Sequence, residues 1–173
     1  MITKSAAAID SKAFRAFLLE LAEVESATTL KVLNAYPVDK SELKPHPALK
    51  SARDLAWLVT MGQKLCIAAL QDSMDLSGGV PPTPETFGEV VEAFERSRER
   101  MLAMLRAADP GHLSGTVRFP TGPKHVDDIP KLPFIHFMLL DQIHHRGQFS
   151  IYLRLAGGKV PSIYGPTADE PWV

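Results

Sequence analysis

An all-α fold, a four-helix bundle with long crossover connections and an extended C-terminal tail, is what this chain predicts. Three observations carry that expectation. Four stretches repeat apolar residues at three- and four-residue steps, the connections between them are rich in proline or glycine, and only Thr116, Val117, Arg118 and Phe119 resemble a strand. At 173 residues, 45% hydrophobic and 23% charged, the chain is long enough to bury a core as one domain over residues 1–173.

The first segment, about residues 10 to 35, opens at the cap residues Asp10 and Ser11 and carries the stripe Phe14, Phe17, Leu18, Leu21 and Val24. Pro37, Pro45 and Pro47 then forbid helix. The second starts near Ser51, with Asp54 three residues on as an approximate capping box, runs Leu55, Leu58, Gly62, Leu65 and Ala69 along one face, and is expected to stop at Ser77, Gly78 and Gly79. The third is expected to start at Thr83 and Pro84, because proline in the first turn gives up an N–H that has no partner there. Its apolar stripe is Phe87, Val90, Val91, Phe94, Met101 and Leu105, with Glu92, Glu95, Arg96, Glu99 and Arg100 as a solvated face. Residues 109 to 133 form a Pro- and Gly-rich connection long enough to be functional or poorly ordered. The fourth helix, about 133 to 156, is apolar around much of its circumference, which predicts cover on more than one side, from its own bundle and from a second subunit. After Gly157 and Gly158, the prolines at 161, 166 and 171 make the tail extended.

Composition excludes several classes. A formal net charge of −1 with scattered basic residues gives no footprint for nucleic acid. No window approaches the roughly 20 apolar residues of a membrane span. The single cysteine, Cys66, and an N-terminus without a secretory apolar run point to a reducing, cytoplasmic location.

The densest chemistry lies on the fourth helix. Asp141 and His145 stand one turn apart on one face. At about 100° per residue, Phe134, Met138, Asp141, His145, Gln148 and Tyr152 share one line. That line sets the trio Asp141, His145 and Gln148 inward, and Arg146 and Arg154 toward the outside. A buried carboxylate is costly without a partner, so Asp141 calls for His145 or a metal. Three arrangements follow. In one, Asp141 and His145 bind a metal with help from Gln148, His144 or the 109 to 133 connection. In another, the two pair with each other beside a pocket lined by Trp57, Leu58 and Tyr152. In the last, Asp141 is exposed at a pocket mouth. His144, about 100° round the helix, is expected to be a hydrogen-bonded interface residue, and His46, His112 and His125 to be solvated. Cys66, Trp57 and Tyr152 suit the core, and Gly147 suits close approach of another helix. Arg146 and Arg154 are placed to meet the tail acids Asp169 and Glu170.

The run His144, His145, Arg146, Gly147, Gln148, continued by Tyr152, Leu153 and Arg154, by residues 157–161 (GGKVP) and by Tyr164, Gly165 and Pro166, resembles the DinB/YfiT-like superfamily. The resemblance is strong from about Leu55 to the C-terminus. It implies a four-helix bundle, commonly homodimeric, in which many members hold a divalent metal through three histidines. The first of those positions, directly after Trp57, is Leu58 here; the second is Asp141; the third is His145. A leucine cannot bind metal, whereas a carboxylate is a competent ligand for zinc, nickel or manganese. The resemblance implies two functional readings. One is a divalent-metal-dependent, thiol transferase-like enzyme in which the metal activates a low-molecular-weight thiol. The other is a non-catalytic, dimeric small-ligand-binding or stress-associated protein whose metal site is lost.

Overall fold

The structure, a computed structural model, describes residues 11–173. The expected cap at Asp10 and the Ser11 side chain lie outside what is described. Four long helices dominate: α1 (Ser11–Asn34), α2 (Ala52–Leu70), α3 (Phe87–Ala107) and, after the single turn α4 (Pro110–Leu113) and a hairpin, α5 (Lys131–Leu155). α2 packs against α3 and α5, and α1 packs against the same two, so α1 and α2 sit diagonally across a shared core. Among the described residues no helix is long and apolar enough to cross a membrane.

The expectation of a purely α-helical chain is corrected by the 109 to 133 connection. There β1 (Thr116–Gly122) pairs antiparallel with β2 (His125–Pro130), from Thr116 opposite Pro130 to Gly122 opposite His125. The turn puts Lys124 at φ 59°. Val117 and Ile129, directly paired, both turn into the core, which is why this stretch is ordered against the end of the helices.

Two helix boundaries differ from the sequence expectation. α2 begins as predicted, with Ser51 accepting from the Asp54 N–H, but ends at Leu70 rather than at the glycines. Asp72 takes φ 52°, a left-handed conformation tolerated by aspartate, and its carboxylate is held by the buried Lys131 Nζ at 2.7 Å. His112, expected to be solvated, lies on the same junction, with Nε2 2.7 Å from Leu70 O and 3.1 Å from Lys131 Nζ. α3 starts after Thr86, not Thr83, because Thr86 and Glu89 form a reciprocal capping box. Thr83 instead donates to Asp54 Oδ1 at 2.7 Å, and this bond is the main cause that holds the Asp54 carboxyl below its usual range.

The interior has a layered organisation. One apolar cluster contains Leu18, Cys66, Leu70, Met101, Leu105, Phe134, Ile135 and Leu139; the other contains Val32, Leu33, Leu55, Phe94, Phe149 and Leu153. Between them every long helix contributes buried polar residues: Glu25, Ser26 and Thr29 from α1, Thr60 and Gln63 from α2, Ser97 from α3, and Gln142 and Arg146 from α5. Burying polar groups in such a layer is costly unless they find hydrogen-bond partners, in their own helix or across the layer.

Candidate functional site

The polar layer is built around an ion pair. Arg146 Nη1 lies 2.7 Å from Glu25 Oε2, with side chains 2% and 6% exposed. Arg146 Nη1 also donates to Glu25 O at 3.1 Å, and Nη2 donates to the Tyr164 hydroxyl at 2.6 Å. That hydroxyl in turn donates to Glu25 Oε2 at 2.8 Å, so the tail closes a ring over the pair. Burial is the main cause that raises the Tyr164 phenol above its usual pKa, with the bond to Glu25 next. The layer continues inward: Gln142 Nε2 donates to Thr29 Oγ1, and Gln63 Nε2 donates to Gln142 Oε1, both at 3.1 Å. Arg146 was expected on the outer side of its helix; it is among the most buried side chains on it.

The physical reason is a rotation of α5. Its buried face centres on Gln142, Phe149 and Leu153, about 80° round from the line through Asp141 and His145 at about 100° per residue. Asp141 and His145 are therefore brought together, but on the flank of the helix. Asp141 Oδ1 is 3.4 Å from His145 Nε2, with side chains 36% and 17% exposed. Gln148, expected to face inward, is exposed; its Oε1 lies 3.1 Å from His145 Nδ1 and its Nε2 lies 2.9 Å from His144 Nε2. Both ring nitrogens of His145 thus have an oxygen neighbour within the chain. His144 is exposed and bonds within its own helix.

The other predicted pocket residues separate. Trp57 and Tyr152 are buried in the same apolar cluster; Trp57 Nε1 donates to Pro81 O at 2.9 Å, and the Tyr152 hydroxyl donates to Lys50 O at 3.0 Å. Leu58 is half-buried on α2 and lies outside that cluster. Cys66 is buried, and burial pushes its thiol up to about 12, so it is a core residue and not a nucleophile. Gly147 is exposed, and nothing among the described residues lies within 4 Å of where a Cβ would stand, so the expected close approach of another helix is not seen within the described residues.

The three-donor metal site implied by the family resemblance does not fit these residues. Leu58 supplies no lone pair, leaving one carboxylate and one imidazole, and no group of three His, Cys, Asp or Glu side chains suited to a metal occurs among the described residues. Cavities open instead on α2, with no residue of α5 in their lining. One of about 470 Å³ lies under the α2–α3 connection and is walled by Met61, Leu65, Leu76, Val80 and Phe119. Another of about 530 Å³ lies between α2 and α3.

The tail is placed as its acids suggest. Arg154 pairs with Asp169 at 2.5 Å, while Glu170 pairs with Lys31 at 3.0 Å rather than with Arg146. Gly158 suits the close approach there, since a Cβ would stand 2.3 Å from Leu153 Cδ1 and 3.2 Å from Ala35 O.

The chain is similar to known proteins over most of its length. Its sequence is 24% identical over 153 residues to YrdA of Bacillus subtilis strain 168, an uncharacterised protein, covering 86% of each. Two crystal structures share the fold: a DinB-like protein from Bacillus cereus ATCC 10987 (TM-score 0.69, 18% identity, 85% of this chain and 95% of that one) and the DinB-like protein YjoA from Bacillus subtilis (TM-score 0.67, 14% identity, 84% and 96%). The DinB family model matches residues 10–172, nearly the whole chain, and by that match the chain belongs to the DinB family.

Proposed function

We propose that this chain is a small-ligand-binding member of the DinB family, a homodimeric four-helix bundle in which the family's metal positions have lost their hold on an ion. The observation that carries this reading is Leu58, an apolar side chain at the position that the resemblance assigns to a ligand, facing the same side of α2 as the cavity residues Met61 and Leu65. The remaining donors, Asp141 and His145, have each other. Elemental analysis of protein purified without a nickel column, wild type and His145→Ala, is expected to give negligible zinc, nickel and manganese in both. Near-stoichiometric metal in the wild type that disappears in the variant would overturn the reading.

One geometric fact favours a second reading, a divalent-metal-dependent thiol transferase-like enzyme: Asp141 and His145 do share one helical face at 3.4 Å. A metal there would polarise a low-molecular-weight thiol. On the ligand-binding reading, conjugation of a model electrophile to such a thiol shows no dependence on added Zn²⁺, Ni²⁺ or Mn²⁺.

The dimer is supported by the outer face of α5, where Phe137, Leu140 and Ile151 are 38%, 49% and 62% exposed along one stripe that includes Gly147. Phe17 and Val24, predicted to be inside, add exposed apolar surface on the neighbouring α1. Light scattering is expected to give twice the chain mass for the wild type, and one chain mass for Leu140→Glu/Ile151→Glu with the helical circular dichroism unchanged. A variant that stays dimeric would move the interface elsewhere.

A further inference from the structure

We propose that the two cavities on α2 form one site for an amphipathic anion, an aliphatic chain ending in a single carboxylate; the assignment rests on the small-ligand reading and deepens it. The cavity between α2 and α3 supplies the head site. Its charged lining is Lys64, Arg96 and Arg100, with no carboxylate among its lining residues. Lys64 and Arg100 have no acidic partner among the described residues. Arg96 has only Glu92, at 3.3 Å with both side chains about two-thirds exposed, a pairing that solvent screens to little. At about 100° per residue, Glu92, Glu95 and Glu99 project from the other flank of α3. Three like charges sharing one groove repel one another and lower the free energy of an anion placed among them.

The second cavity supplies the tail site. Met61, Leu65, Leu76, Val80 and Phe119 make it apolar, and Leu76 and Val80 are 39% and 71% exposed, surface that an aliphatic chain would cover. Two contacts anchor its walls. The Trp57–Pro81 bond holds the connection against α2, and Phe119 stacks edge-on to Phe134 with ring centroids 5.0 Å apart. Lys64 and Ala68 line both cavities, so the two adjoin across a ridge made of one small side chain and one flexible stem. Lys64 lies over the Trp57 ring, 5.3 Å from its centroid, a contact it would exchange for an anionic head. The tail cavity has one acid, Asp75, whose carboxylate accepts from the Ser77 N–H at 2.9 Å. Its charge turns a carboxylate head away and so fixes the direction in which the ligand lies. Volumes of about 470 and 530 Å³ are those of small-molecule sites.

The test is calorimetric titration of the full-length protein with decanoate, decanol and acetate, each below its micelle or solubility limit. Decanoate is expected to bind saturably, one per chain; decanol about tenfold more weakly, for want of the charge-assisted contacts; and acetate not at all. Arg96→Met/Arg100→Met, two exposed residues that line only the head cavity, is expected to reduce decanoate affinity to that of decanol and leave decanol unaffected. Val80→Asp is expected to weaken both. Equal binding of decanoate and decanol, insensitive to the double variant, would overturn the head site while leaving the small-ligand reading standing. Decanoate binding untouched by Val80→Asp would overturn the joined site. Failure of decanoate and decanol alike to bind the folded wild type would remove this proposal; intact metal-free protein that then binds no member of a broader apolar ligand panel would remove the reading beneath it.

Discussion

Arg146→Ala is expected to destabilise the protein by about 3–5 kcal/mol, because it leaves the Glu25 carboxylate buried and without its cation. Glu25 is 5% exposed and cannot recover water without opening the contact between α1 and α5. The Tyr164 hydroxyl remains as one donor to Glu25, but a single phenol does not replace a guanidinium that reaches both its carboxylate and its backbone carbonyl. Urea unfolding followed by circular dichroism measures the loss. The double variant Glu25→Leu/Arg146→Met removes the orphaned charge and is expected to recover much of it, since an apolar pair of similar volume avoids the desolvation that the ion pair must overcome. Tyr164→Phe takes away one hydrogen-bonding hydroxyl and is expected to cost about 1 kcal/mol. A loss below about 1 kcal/mol for Arg146→Ala would mean that the pair is solvated and the layer misplaced.

Phe149→Ala is expected to cost about 3–5 kcal/mol, the range for deleting a fully enclosed aromatic ring. Phe149 is 1% exposed and sits among Tyr36, Phe87 and Tyr152, with ring centroids 5.0, 6.1 and 6.5 Å away. It joins α5 to the start of α3 and the end of α1, so the cavity left behind cannot close by moving one helix. Gln148→Ala, one residue earlier and exposed, is the matched control, expected within about 0.5 kcal/mol of wild type. The two variants together decide how α5 is turned. Similar costs for both, or a larger cost at Gln148, would restore the orientation in which Asp141, His145 and Gln148 face the interior.

That orientation is the point on which sequence and structure part. The apolar residues of α5 run around most of its circumference, so no one line through it is marked as the inside, and the line through Phe134, Met138 and Tyr152 is one of several that periodicity allows. The same ambiguity put Phe17 and Val24 of α1 inside when the structure exposes them. α3 left no such freedom. Its charges fill one side, and Phe87, Val90, Phe94, Met101 and Leu105 are buried as their spacing predicts. Local chemistry was equally legible where it is self-contained: the Ser51 cap, the short strand at Thr116, the burial of Cys66 and the meeting of Arg154 with Asp169. The start of α3 was missed because two threonines, Thr83 and Thr86, compete for the cap, and only Thr86 has a glutamate three residues on to answer it.

The sequence by itself determined the four helical segments and the family. Tertiary structure alone decided which face of α5 is buried, and with it that the interior polar site is Glu25, Thr29, Gln63, Gln142 and Arg146, with the Asp141 and His145 pair on the flank. The reason is one of distance along the chain. The bonds from Gln63 to Gln142, from Gln142 to Thr29 and from Arg146 to Glu25 span 79, 113 and 121 residues. The buried Gln63, Gln142 and Arg146 are too long to be satisfied as Thr60 is by its own helix, and no helical period records where a partner that far away will be.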